Sequence, residues 1–164
     1  MIAQQGVASK FSGVAAVQSD EEVIVEGEAG SGEEFMLGSA QPEALPRSVT
    51  DSVADLVGCA ASKLGPCRVE WAFDGQSVWA VQLHQGSLPS SGRTVFPGAP
   101  SIEHRFQVED GLEALRTLVA KVGGTGEGIV VLGDVGVTSH FGDVLRRARI
   151  PSRIHPIGEV TRPR

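Results

Sequence analysis

Apolar and polar positions repeat at two different periods along this chain, and the changes of period mark its elements. Residues 2–7, 13–17 and 23–28 are short Val- and Ala-rich runs bounded by Gly, Ser or acidic turns, which predicts three strands. From 49 to 64 the period lengthens: Val53, Leu56, Val57, Ala60 and Leu64 recur at helical spacing before Gly65-Pro66, so one amphipathic helix is expected. Thr50 or Asp51 would cap it. Residues 68–73 and 77–84 return to short strand-like runs around Asp74-Gly75, a strong hairpin dipeptide.

Further on, 102–108 reads as a strand and 111–122 as a helix with Leu112, Leu115, Leu118 and Val119 on one face. Residues 129–132 are uniformly apolar, as suits a strand covered on both sides. A Gly133-Asp134-Val135-Gly136 turn then leads into a helix from about 139 to 149, stopped by Pro151. The expected class is α/β, with no internal repeat.

Glycine bears on the division of the chain. There are 21 among 164 residues, about twice the usual ~7%, clustered at 27–38, 86–98 and 123–128. The middle cluster also holds Pro89 and Pro97 and has no periodic apolar face, so 87–100 reads as a linker between domains at 1–86 and 101–164.

Composition narrows the function. A chain that is 41% hydrophobic and 21% charged has the balance of a folded soluble protein. No apolar run approaches the roughly 20 residues of a bilayer span, and MIAQQGVASKF lacks the basic start and apolar stretch of a secretory signal. Cys59 and Cys67 alone make no disulfide framework. A cytoplasmic enzyme or binding module is the expectation, without a membrane partner. Charge is uneven: residues 1–100 carry a net −7 and residues 101–164 a net +1, with six arginines against Glu159 from 146 onward. Those arginines have only Phe141 as an aromatic neighbour, too little for stacking on bases, so nucleic acid is not the expected partner.

Two places carry candidate chemistry. The strand, glycine turn and helix start at 129–140 form a ready anion site, where free N–H groups and the positive helix end meet. Thr138, Ser139 and His140 stand there. A histidine so placed either accepts a phosphoryl group through one ring nitrogen while the other is held, or is an ordinary surface or capping residue. Thr138 or Ser139 either supplies that second bond or caps the helix. In the hairpin, side chains two apart share a face, so Arg68 pairs with Glu70 and Gln82 with His84. Glu70 and Gln82 either offer oxygen ligands to Mg²⁺ or line a solvated ribbon. Trp71 and Trp79 read as packing residues and Cys59 as helix core.

A resemblance weights these readings. Gly136, Thr138, Ser139, His140, Arg146, Ile150 and Pro151 fall in ungapped register with the phosphohistidine motif of the phosphoenolpyruvate synthase and pyruvate phosphate dikinase family, roughly G-x-T-S-H, a helix with an Arg, then I-P. IAQQGV at 2–7 and the following FSGVAAV are similar to strands of the family's ATP-grasp domain, the first of which lines the adenine pocket. VEGEAGSGEEFMLGSAQPE at 25–43 resembles its Gly-rich turn, and VEWAFDGQSVWAVQLHQ at 69–85 its metal-binding hairpin. The matches cover about 1–86 and 129–151, in the family's order.

The resemblance implies the second lobe of an ATP-grasp domain at 1–86, followed by an abridged swivelling phosphohistidine domain. It implies ATP and Mg²⁺ as cofactors, Glu70 and Gln82 as metal ligands, and Gln4, Gln5, Val7, Glu26, Arg68 and His84 around the nucleotide. His140, with Thr138, Ser139 and Arg146, would carry the phosphoryl group. The chain departs from the family at Val135, usually Gly, and at Phe141-Gly142-Asp143, usually small and aliphatic. It departs again at Arg68, usually an acid, and at His84, usually an arginine. Phe141 would crowd the histidine, while Arg68 either replaces the missing arginine or marks a site that has lost its metal. The family's first lobe and pyruvate-binding barrel have no counterpart here. The implied protein is therefore a split subunit or fragment, needing a complementary chain or self-association, with an unknown small-molecule acceptor. The alternative is a non-catalytic binding or regulatory protein of the same descent.

Overall fold

A computed structural model describes residues 6–18, 22–37, 39–86, 88–90 and 92–156. The fold is α/β, with two four-stranded sheets and four α-helices among these residues. They form two compact units. One takes the described residues of 1–33 and 43–88, the other those of 34–42 and 89–164.

In the first unit, β1 (Phe11–Val17), β2 (Val23–Ala29), β3 (Cys67–Phe73) and β4 (Val78–Gln85) form an antiparallel sheet in the order β2-β1-β3-β4. The helix α2 (Arg47–Leu64) packs on one face through Val49, Val53 and Val57, against Ala15, Cys67, Val69 and Trp71. The four-residue spacing puts these valines on one stripe. Gly13 and Gly27 face each other across β1 and β2. A Cβ on Gly13 would lie 2.1 Å from the Glu26 carbonyl oxygen, and one on Gly27 2.9 Å from the Trp71 ring. Gly27 thus makes room for the indole, and Gly13 for the close approach of the β2 backbone.

Several details differ from expectation. The helix starts at Arg47 after Pro46, with no side-chain cap, so neither Thr50 nor Asp51 caps it. Proline suits that boundary because it lacks an N–H to satisfy. Leu64 is half exposed at the last turn. Cys59 is exposed, and Cys67 is the buried thiol. Residues 6–9 carry no regular secondary structure, and the rest of the strand expected at 2–7, with Gln4 and Gln5, lies outside the described residues. The short helix α1 (Glu33–Leu37) was not expected from its five residues; it falls well below the length that patterning can identify.

The second unit holds β5 (Thr94–Phe96), β6 (Glu103–Gln107), α3 (Gly111–Val122), β7 (Gly128–Leu132), α4 (His140–Ala148) and β8 (Ser152–His155). The sheet order is β5-β8-β7-β6, with β6, β7 and β8 parallel and β5 antiparallel at the edge. The central β7 is almost wholly buried, as its unbroken apolar run requires. α3 and α4 are the crossovers between parallel strands, and Phe106 of β6 meets Phe141 of α4 with ring centroids 6.3 Å apart. β5 occupies part of the stretch expected to be linker, and β8, only four residues long, is too short to carry a readable pattern.

Candidate functional site

Each unit brings one set of chemistry-bearing residues together. In the first, strand register builds the site. Val14 pairs with Glu26 on one side and Glu70 on the other, and Glu70 pairs with Gln82. Ala16 likewise stands between Ile24 and Arg68, and Arg68 pairs with His84. Because Ala15, Val25, Val69 and Trp71 point into the α2 side, alternation turns both rows to the opposite face. Glu26, Glu70 and Gln82 therefore form one row, and Arg68 and His84 the next.

The side-chain amide nitrogen of Gln82 lies 2.8 Å from Nε2 of His84. An amide nitrogen only donates, so in this pairing the Gln82 amide is the donor. It leaves the Gln82 oxygen free of that bond. Among the described residues no three His, Cys, Asp or Glu side chains form a group able to hold an ion. Magnesium, however, is commonly bound by one or two protein oxygens together with substrate phosphates and water. The donor set of Glu70 carboxylate and Gln82 amide fits that limited share, with Arg68 in the adjacent row.

A bulge follows at once. Glu70 pairs with Gln82 but Trp71 with Ala80, so Val81 has no opposite number. The slip turns Trp79, paired with Ala72, to the same face as Gln82 although the two are three residues apart. Trp79 is half exposed and is not the packing residue expected; Trp71 is. The Trp79 indole N–H donates to Asp74 Oδ2 at 2.8 Å, while the Gln76 and Ser77 amides donate to Oδ1 at 2.7 and 2.8 Å. The bonds from the Ser77 amide, the Trp79 indole and the Gln76 amide hold the Asp74 carboxyl below its ordinary range. Val7, Asp74, Trp79 and Val81 border a cleft of about 470 Å³. Nothing in the alternation of residues 77–84 signals the bulge.

In the second unit the site is a turn and a helix start. Of residues 135–142, all are buried except His140, whose side chain is 43% exposed. Ser139 is the N-cap by backbone only; its hydroxyl donates to the Gly136 carbonyl at 2.7 Å. Its side chain therefore neither caps α4 nor holds the histidine. Thr138 is fully buried. Arg146 is 8% exposed at its side chain and donates to the Val137 carbonyl at 2.6 Å and to Asp143 Oδ1 at 2.7 Å. The expected catalytic arginine is thus tied into the turn that presents His140. Phe141 does not crowd the imidazole, because its ring is buried against Phe106.

Asp143 lies three residues after His140 and three before Arg146, and its Oδ2 is 4.0 Å from His140 Nδ1. That ladder was readable from helical spacing. A cleft of about 450 Å³, bordered by Leu37, Val108, Glu109, Asp134 and Phe141, opens at the carboxyl ends of β6 and β7. It could not be read from sequence, because residues far apart in the chain form it. No helix among the described residues is long and apolar enough to cross a membrane. No protein-family model, curated protein or solved structure matches the chain.

Proposed function

We propose that the chain acts in ATP-dependent phosphoryl transfer of the phosphoenolpyruvate synthase and pyruvate phosphate dikinase type, with His140 as the phosphoryl carrier. The observation that carries this reading is the burial pattern of 135–142, in which the imidazole alone reaches solvent. A buried turn that exposes one nucleophile at a helix N-terminus suits an incoming phosphoryl group, since the helix end favours its negative charge.

On this reading Glu70 and Gln82 contribute oxygens to a nucleotide-bound Mg²⁺, which when present offsets phosphate charge. Arg68 and His84 face the phosphates, and Glu26, Gln4, Gln5 and Val7 belong to the nucleotide's surroundings. A complementary chain, or a second copy of this one, supplies the other half of the nucleotide site. A ring nitrogen of His140 attacks phosphorus in line, and the bond from phosphorus to the nucleotide oxygen breaks as the N–P bond forms. The chain works in this reading as a split phosphotransferase subunit or fragment, at cytoplasmic conditions, and the acceptor is a small molecule bound elsewhere.

One observation favours a second reading, a binding or regulatory role without phosphoryl transfer. Arg68 brings a cation beside Glu70, where the resembled family has an acid, and the described residues hold no three-ligand acidic or histidine group.

Intact-mass spectrometry at neutral to basic pH, after incubation with Mg-ATP and a candidate partner, separates the two. A phosphate adduct that disappears in His140→Ala supports the carrier. Its absence with a verified partner present sinks the carrier reading and leaves the binding role.

A further inference from the structure

We propose that Asp143 is the positioning residue that selects Nε2 of His140, and not Nδ1, as the atom that takes the phosphoryl group. The inference rests on the proposed carrier role of His140. It adds a residue the family resemblance does not supply, since an aliphatic side chain is usual at that place.

The contacts of Asp143 with Arg146 and with His140 have different duties. Asp143 Oδ1 accepts a charge-assisted bond from Arg146 Nη2 at 2.7 Å, and Arg146 is itself tied to the Val137 carbonyl at 2.6 Å. The carboxylate is 15% exposed and the guanidinium 8%. A short bond between largely buried groups fixes the carboxylate plane, and with it the direction of the second oxygen. That oxygen, Oδ2, faces Nδ1 of His140 at 4.0 Å. The separation is too long for a direct hydrogen bond but short enough for charge to act.

A carboxylate facing Nδ1 favours the tautomer with its proton there, because the N–H dipole then points at negative charge. The lone pair is left on Nε2, on the far side of the ring. When phosphorus bonds to Nε2 the ring becomes cationic and keeps its Nδ1 proton. The same carboxylate then stabilises that charge. Ser139 does not compete for this role, because its Oγ is turned back to Gly136. Gly142 has no space for a Cβ, which would meet the Val137 carbonyl oxygen at 2.0 Å and Arg146 at 2.9 Å. Arg146 thereby packs closely enough to hold Asp143.

The test uses the full chain and two readouts that need neither ATP nor a partner. In ¹⁵N-labelled protein, two-bond ¹H–¹⁵N correlations, assigned through His140→Ala, should give His140 as the Nδ1–H tautomer. In Asp143→Asn, Arg146 keeps the amide oxygen, so the amide N–H₂ faces Nδ1 and the tautomer should shift toward Nε2–H. An Nε2–H tautomer in the unaltered protein overturns the proposal without any variant having to fold.

Potassium phosphoramidate then reports on the chemistry. Its P–N bond breaks, phosphorus joins the imidazole and ammonia leaves. ³¹P NMR and fragment mass spectrometry should find the adduct of His140 on Nε2, in excess over Nδ1 by about fivefold or more, the scale of a partly exposed charge pair. Asp143→Asn should lose that preference. Phosphate on Nδ1 in the unaltered chain, or an unchanged ratio in the variant, overturns the assignment. Selective Nε2 labelling by phosphoramidate beside a failure with Mg-ATP and partner would uphold Asp143 and remove the ATP-dependent reading.

Discussion

Glu70 and Gln82 stand directly opposite one another on β3 and β4, at the last matched pair before the strands slip by one residue. The location of the slip decides which residues share the open face. Below it, Arg68, Glu70, Gln82 and His84 alternate in phase; above it, Trp79 joins them. A hairpin without the bulge would pair Trp79 with Phe73 and turn it toward the α2 side.

If Glu70 and Gln82 share a nucleotide-bound magnesium, Glu70→Gln removes its only carboxylate from the pair. Binding of a fluorescent ATP analogue by the chain with its partner should weaken at least about tenfold in the presence of Mg²⁺, a loss of ~1.4 kcal/mol. The midpoint of urea unfolding should stay within about 0.5 kcal/mol of the parent, as for substitutions outside the core. Equal binding by parent and variant would remove Glu70 from the site.

Asp74 ties the β3–β4 turn to Trp79, and its folded-state pKa is depressed by the Ser77 amide first, then the Trp79 indole and Gln76 amide. A depressed carboxyl contributes stability above its unfolded pKa and loses it as pH falls through the folded value. The thermal midpoint of the parent should therefore drop in the acid range below about pH 4. Asp74→Asn should start lower at pH 7 and lose less on acidification, with Trp79 fluorescence moving alongside. An unchanged acid limb would refute the role of this turn.

The two thiols should differ in reactivity. Cys59 is exposed on α2, whereas Cys67 lies in the core, where burial pushes its thiol pKa up. A thiol-disulfide reagent should modify one cysteine in the native protein and the second only on unfolding. Cys59→Ser should cost less than about 0.5 kcal/mol. Two fast thiols in native buffer would contradict the packing of β3 under α2.

Gly142 and Arg146 should govern the stability of the second unit independently of any chemistry. Gly142→Ala drives a methyl group toward the Val137 carbonyl and the guanidinium and should cost about 3 kcal/mol. Arg146→Ala leaves Asp143 a largely buried charge without this partner, at a cost of about 3 kcal/mol or more. Chemical denaturation followed by circular dichroism checks both. A stable Arg146→Ala protein with full secondary structure would show that the clamp is not what shapes the turn.

Much of the fold was legible because the determining signals are local. The stripe Val53, Val57 and its neighbours names a helix by periodicity alone, Asp74-Gly75 names a hairpin, and the run at 129–132 names a covered strand. The pairing of Arg68 with Glu70 and of Gln82 with His84 on one face followed from the two-residue period of a strand. What failed was short or non-local. β5 and β8 carry too few residues for a pattern, and α1 is a single turn.

The same division holds at the sites. Residue type and spacing offered Glu70, Gln82 and His140 as candidates beside ordinary structural readings, and the family resemblance gave the candidates their weight. The rest depended on tertiary contacts. Phe141 turns inward because Phe106 offers it a partner from another strand, and Arg146 is drawn into the turn by the Val137 carbonyl and Asp143. Trp79 reaches the open face through a one-residue slip between strands. Local sequence determines periodicity, and with it the elements and the faces they present. Which side chains are buried, clamped or left open is decided by packing between segments distant in the chain, whose free energies appear only once those segments meet.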